Sequence, residues 1–229
     1  MTVGIVCGFQ AEVDCFWQAI DHVGLDREAF KIIASGSSAQ RGRQAADHLV
    51  QQGCSKLLSF GIAGGLTPKL RVGDVVFSNH VVTTLDESYG KRPATKKVDG
   101  LSLGGAKPLQ MSVCGVDEIV FNPTDKARLH QLTRAAIADM ESHGVARAAK
   151  EGGIPFFVLR SVSDAVGDHL PEFVANGVNE DGTPNLKPIL LALLKNPFRL
   201  GALLKLKGNT DTALAALQSA ACRELPKLT

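Results

Sequence analysis

Two patterns of apolar and polar positions alternate along this chain: short continuous apolar runs that close on small residues, and longer stretches where apolar residues recur every three or four places. Val3 to Cys7, closed by Gly8, reads as a strand buried on both faces. Val13, Phe16, Trp17 and Ile20 then follow at i, i+3, i+4 and i+7, which predicts a helix. Lys31 to Ala34 is a second strand ending at Ser35 to Ser38, and a helix from about Ala39 to Gln52 stops at Gly53.

The unit repeats. Lys56 to Phe60 is a third strand, and Gly61-Ile62-Ala63-Gly64-Gly65-Leu66 after it reads in isolation as a tight turn that lets the backbone approach a ligand. Gly73-Asp74 leads into a long strand from Val75 to Thr84, and Glu87 to Pro108 is a polar surface loop. Leu109 to Cys114 is a strand, Asn122-Pro123 begins a helix over Thr124 to Arg134, and Ala135 to Ala138 is a short strand. Asp139-Met140-Glu141-Ser142 opens a further helix that ends at Gly152-Gly153, and Pro155 to Val162 is the last clear strand. This alternation predicts an α/β fold, a three-layer α/β/α domain around a mixed, mostly parallel sheet.

Residues 1–229 are expected to form one domain, with 185–218 as an apolar C-terminal helical extension. Lys187, Lys195, Pro197, Arg199 and Lys205 interrupt the leucines of 186–206, so this is not a transmembrane span. Two amphipathic helices joined at Asn196-Pro197 fit better. They would serve either as a peripheral membrane contact or as a cover over the protein's own core or a subunit interface.

Composition narrows the chemistry. A net charge of +2 over 229 residues, without basic clusters, gives no case for nucleic acid. Five cysteines without a CxxC pair read as buried apolar residues in a reducing compartment, and the N-terminus lacks a signal-peptide pattern, so a cytoplasmic location is expected. The histidines show no metal-ligand spacing. Asp139 and His143 share a face of the predicted helix, which is read as a polar contact and not as a metal site. Glu141 and Asp164 lie at elements that return to one sheet edge, where open α/β sheets bind ligands and where paired carboxylates suit acid and base work.

Five motifs in order, Val3-Gly4-Ile5-Val6 leading to Glu12-Val13, Gly61 to Leu66, Val72 to Val76, Asp139-Met140-Glu141 and Arg160 to Asp164, resemble the nucleoside phosphorylase superfamily, in particular its methylthioadenosine/adenosylhomocysteine nucleosidases. The resemblance covers about residues 1 to 170 and implies cleavage of the N-glycosidic bond of a purine nucleoside. It makes Asp164 the acid or hydrogen-bond partner at purine N7, beside Ser163. Burial there would favour the protonated carboxyl, and donation to N7 with acceptance from a 6-amino group favours adenine. By the same resemblance Glu141 holds the ribose hydroxyls and Met140 packs on the sugar. Gly8, Ile62, Ala63, Gly64 and Asp139 complete the substrate site, with Ile119 as a backbone contact to the base.

Glu12 matches the residue that activates water in the hydrolytic branch, and Ile62 stands where phosphorolytic relatives carry a phosphate-binding serine. Water is therefore favoured, while Arg41 and Arg43 at a helix N-terminus keep phosphate open as a co-substrate. No cofactor or metal is implied. Glu118 falls where the nucleosidases place a stacking aromatic, which puts base stacking in question. Pro171 to Val174 and the Leu/Lys segment of about 190–206 are similar to the hopanoid-associated branch, whose role is removal of adenine from adenosylhopane. A homo-oligomer, favoured as a dimer, is expected.

Overall fold

The computed structural model describes residues 1–84, 88–89, 108–171 and 199–228. Most of the predicted polar loop, the Glu172 to Val174 motif and residues 185–198 of the predicted extension lie outside them. Ten described strands form one sheet: β1 Val3–Cys7, β2 Phe30–Ala34, β3 Lys56–Gly65, β4 Val75–Ser78, β5 Val81–Thr83, β6 Ser88–Tyr89, β7 Leu109–Gln110, β8 Val113–Gly115, β9 Ile137–Asp139 and β10 Phe156–Asp164. Most strand pairs are parallel. The antiparallel ones are β10 with β4, β3 with β9, and β5 with β6. This is the mixed, mostly parallel α/β sheet that the apolar runs predicted.

Helices cover both faces. On one, α1 (Gln10–Val23) and the C-terminal helix α5 (Arg199–Glu224) pack together over Ile5, Leu58, Phe60 and Leu159. Phe16 is the centre of this core, edge-on to Trp17, Phe30 and Phe60 with ring centroids 5.3–5.5 Å away. On the other face α2 (Ala39–Gln51) packs against α4 (Ser142–Glu151) over Val6 and Leu57. The remaining helix is α3 (Pro123–Thr133), begun as predicted by Asn122, whose side chain accepts from the Asp125 N–H.

Three boundaries differ from the sequence reading. Gly61 to Gly65 is not a turn but the second half of β3, because β10 pairs with it as far as Gly64. The expected strand from Val75 to Thr84 breaks after Ser78, where the buried Ser78 hydroxyl bonds the backbone of His80. Leu109 to Cys114 divides similarly into β7 and β8. Within α5, Ala213, Leu217, Ala220 and Ala221 are fully buried, so this stretch is a cover over the protein's own core. Leu200 and Leu204 on the same helix are exposed. Among the described residues, no helix is long and apolar enough to cross a membrane.

One feature of the sheet positions everything that follows. Strand β10 occupies one edge of β3 along nearly its whole length, while the other edge is shared by β1 at Lys56–Ser59 and β9 at Gly64–Gly65. On that second edge, between β1 and β9, the backbone of Phe60 to Ala63 has no described strand beside it. Its polar groups are available to side chains, at the kind of strand divergence where α/β sheets place ligands.

Candidate active site

A cavity of about 350 Å³ opens at that divergence. Glu12, Ile62, Ala63, Gly64, Ile119, Asp139, Met140, Glu141, Ser163 and Asp164 all line it. Gly8 stands behind them, its N–H donating to Glu12 Oε2 at 2.7 Å. The structure thus brings together residues from four of the five motifs, together with Ile119.

Glu12 sits in the first turn of α1 and is buried. Its Oε2 accepts from the N–H groups of Gly8 and Phe9, which would otherwise lack a helical partner, and its Oε1 accepts from Ile62 N–H at 2.8 Å in the open stretch of β3. Gly61 makes that approach feasible: a Cβ there would lie 2.2 Å from Glu12 Oε1 and 2.3 Å from Arg160 Nη1. The glycines that looked like turn residues are needed for clearance in a strand.

Arg160 in β10 is the hub of the sugar-side cluster and is 1 % exposed. Its Nη2 donates to Glu141 Oε2 at 2.9 Å and to Ser59 Oγ at 2.8 Å, its Nε lies 2.8 Å from Asp139 Oδ2, and its Nη1 lies 3.8 Å from Glu12 Oε1. One guanidinium therefore faces three buried carboxylates. Burial pulls the Arg160 pKa down, but Asp139, Glu141 and Glu12 outweigh it and push it higher still, so the guanidinium stays charged. Burial raises the Glu12 pKa, opposed by Arg160 and by the N–H groups of Ile62, Gly8 and Phe9. Glu141 is pushed up to about 8, first by burial and then by Asp139 and Glu12, against the pull of Arg160.

Asp139 and Glu141 divide their work differently from the sequence reading. Asp139 does not open a helix: it ends β9, and its carboxylate accepts from the Ser142 N–H at 2.9 Å and from the Ser142 hydroxyl while it pairs with Arg160. That leaves Asp139 as a positioning residue for α4 and Arg160, with little capacity for a ligand. Glu141 holds the N-cap position of α4 but makes no capping bond, and its side chain turns to Arg160. The predicted Asp139–His143 helical pair does not form, since only His143 is on α4 and its Nε2 lies 3.3 Å from Asp117. No group of three or more metal-ligating side chains occurs among the described residues.

At the base end, the pairing of β10 with β3 slips between Val162 and Asp164. This bulge lets the consecutive residues Ser163 and Asp164 both line the cavity, which a regular pleat would forbid. Asp164 is 4 % exposed and therefore buried. It is not buried alone: Lys126 Nζ of α3, 1 % exposed, donates to its Oδ2 at 2.5 Å, and Ser163 Oγ donates to its Oδ1 at 2.8 Å. Sequence reasoning missed Lys126 because a lysine on a polar helix looks solvated. It also missed Phe121, which lines the cavity, whereas the exposed Glu118 does not. An aromatic wall therefore comes from three positions further along the chain. Neither Arg41 nor Arg43 lines this cavity, and Arg43 is paired with Glu151 at 2.6 Å.

Residues 32–195 match the phosphorylase superfamily, and the chain belongs to that family. It is 27% identical over 146 residues to an aminodeoxyfutalosine nucleosidase of Campylobacter jejuni, covering 54% of this chain and 64% of that protein. It is 28% identical over 135 residues to a 5′-methylthioadenosine/S-adenosylhomocysteine nucleosidase of Shewanella halifaxensis, covering 50% and 59%. The matches thus span about three-fifths of the length of these relatives. Among solved structures, the corresponding nucleosidase of Colwellia psychrerythraea in complex with adenine aligns with a TM-score of 0.68 at 19% identity, over 98% of this chain and 96% of that one.

Proposed function

We propose that this chain cleaves the N-glycosidic bond of an adenine nucleoside with water, releasing adenine, and that its substrate is adenosylhopane. The observation that carries the reading is the convergence of Glu12, Glu141 and Asp164 on one cavity, with the first two held on a single arginine. The names of the curated relatives, both nucleosidases, support the reaction class.

The cleavage leaves positive charge on the ribose and an electron pair on the departing base. Glu141, held in place by Arg160, accepts from the ribose hydroxyls, and the cluster's excess of carboxylates over cations stabilises the developing oxocarbenium charge. Asp164 delivers the proton to N7. Glu12 takes a proton from the attacking water. A carboxylate offers about four acceptor sites, and three on Glu12 are taken by backbone N–H groups, so one remains on Oε1 for that water. Phosphate is disfavoured as the nucleophile, because even with Glu141 protonated a dianion beside the carboxylates of Glu12 and Asp139 and one guanidinium meets net repulsion. No cofactor enters the scheme.

The finer choice of substrate rests on the far wall. Leu206, Thr210 and Leu214 of α5 close the cavity beside Phe9 and Leu66, which suits an apolar 5′ substituent. The exposed Leu200 and Leu204, with Lys205 and Lys207 on the same helix, suit contact with a membrane that holds such a substrate. The test is adenine release by the purified protein from adenosylhopane, methylthioadenosine, adenosylhomocysteine and adenosine in parallel. Adenosylhopane should give the highest kcat/KM. Preference for adenosine or methylthioadenosine would overturn the substrate, and no adenine from any of them would overturn the reaction.

A further inference from the structure

Helix α3 has only two buried residues, and one of them is a lysine. Lys126 reaches the base end of the cavity, where Nζ lies 2.5 Å from Asp164 Oδ2, 3.0 Å from Ala165 O and 3.1 Å from Asp168 O. Three oxygens surround one nitrogen, and an ammonium group can donate to all three at once. Stability does not account for this arrangement, because a buried ion pair is commonly no better for folding than an apolar pair of the same volume.

The charged groups around the pair leave Asp164 as the natural destination of a proton from Lys126. On the turn after β10, Asp168 accepts from Ala165 N–H through Oδ2 and from Lys205 of α5 through Oδ1 at 2.7 Å. Burial raises its pKa, but Lys205 and the Ala165 N–H outweigh that and hold it below the usual carboxylate range, so Asp168 is an anion that does not compete. Its hydrogen bond from Lys126 goes to its backbone carbonyl, while its carboxylate feels the Lys126 charge only as the weakest of several influences. On α3 itself, Asp125 and Arg128 are exposed. Ser163 bonds the other oxygen of Asp164.

We infer that Lys126 is the source of the proton that Asp164 passes to the departing base. This rests on the nucleosidase reading above. As the C1′–N9 bond breaks and its electron pair moves into the purine, one proton moves from Nζ to the Asp164 carboxylate and one from that carboxyl to N7. The pair is left as a neutral amine beside a carboxylate. Water adds to C1′ and gives a proton to Glu12, and that proton returns to Lys126 through solvent when the products leave. Lys126 acts through Asp164 and is therefore a positioning residue with a proton to supply.

The test compares wild type, Lys126→Met and Lys126→Arg, each as the full chain, with the nucleoside that wild type cleaves best. Arginine keeps a charge beside Asp164, which protects folding should the methionine variant fail, but a guanidinium does not give up its proton. Both variants should lose about 10²-fold or more in kcat with KM little changed. The optimum of Lys126→Met should move to lower pH, because Asp164 must then take its proton from solvent. Wild-type kcat in Lys126→Arg, or an unmoved pH profile in Lys126→Met, would overturn the inference. Wild type that releases no adenine would instead overturn the reading beneath it.

Discussion

The two ends of the cavity bury charge in opposite ways. At the sugar end Arg160 faces Glu12, Asp139 and Glu141, and the cluster carries more negative charge than one cation offsets. At the base end Lys126 pairs with Asp164 one to one, and Asp168 beside them is paired with Lys205, so the charges balance. An excess of carboxylate is costly to bury, yet it suits a site that must stabilise a transient cation. A balanced pair with a short hydrogen bond has one proton to move, which suits a site that must neutralise a transient anion. The difference fits the proposed reaction, with the sugar at one end and the base at the other.

The sharpest way to break that assignment is Asp164→Asn. It removes the carboxyl that lines the cavity beside Lys126, and adenine release should fall by about 10³–10⁴-fold, mostly in kcat. A change confined to KM would mean that Asp164 binds the base without protonating it. Arg160→Met attacks the other end and leaves three buried carboxylates without their cation. Unfolding free energy in denaturant titration should drop by about 3–5 kcal/mol, and a loss below about 1 kcal/mol, typical of an exposed pair, would mean the cluster is not organised around Arg160. Glu12→Gln keeps the shape but removes the base, and should lower hydrolysis by about 10²-fold. Unchanged kcat would move water activation elsewhere.

Glu141→Gln gives the most specific effect, visible only in the pH dependence. The Glu141 pKa is raised in the folded protein from an ordinary value near 4.5 to about 8. The folded state therefore holds a proton that the unfolded chain releases, and its contribution is full below about pH 4.5 and is lost as pH rises through 8. Wild-type stability should decline between pH 5 and 8 by up to about 1.4 kcal/mol per pH unit from this group. The Glu141→Gln variant, which cannot ionise, should show a flatter melting-temperature profile over that range. Parallel profiles would place the raised pKa on another group.

Much of the sheet was legible because strands such as Val3–Cys7 are apolar on both faces and bounded by small residues, and β10 opens with the apolar run Phe156–Leu159. Gly61 to Gly65 misled because glycine signals only a missing side chain. Whether that serves a turn or makes room for Glu12 and Arg160 depends on strands more than fifty residues away. The three carboxylates were legible through their motifs, but their cations were not. Arg160 was visible in sequence without a role, and Lys126 stands in a helix with almost no apolar face, where only the fold shows it buried. Phe121 was overlooked for the same reason: spacing placed the base wall at Glu118, while the chain path sets it three residues later.

The central claim is that the carboxylate-rich sugar end works with water. Adenine release measured in phosphate-free buffer, then repeated with added inorganic phosphate and with mass identification of the sugar product, tests it most directly. The account predicts full activity without phosphate and a free reducing sugar in both conditions. Strict dependence on phosphate, with a sugar 1-phosphate as product, would contradict it.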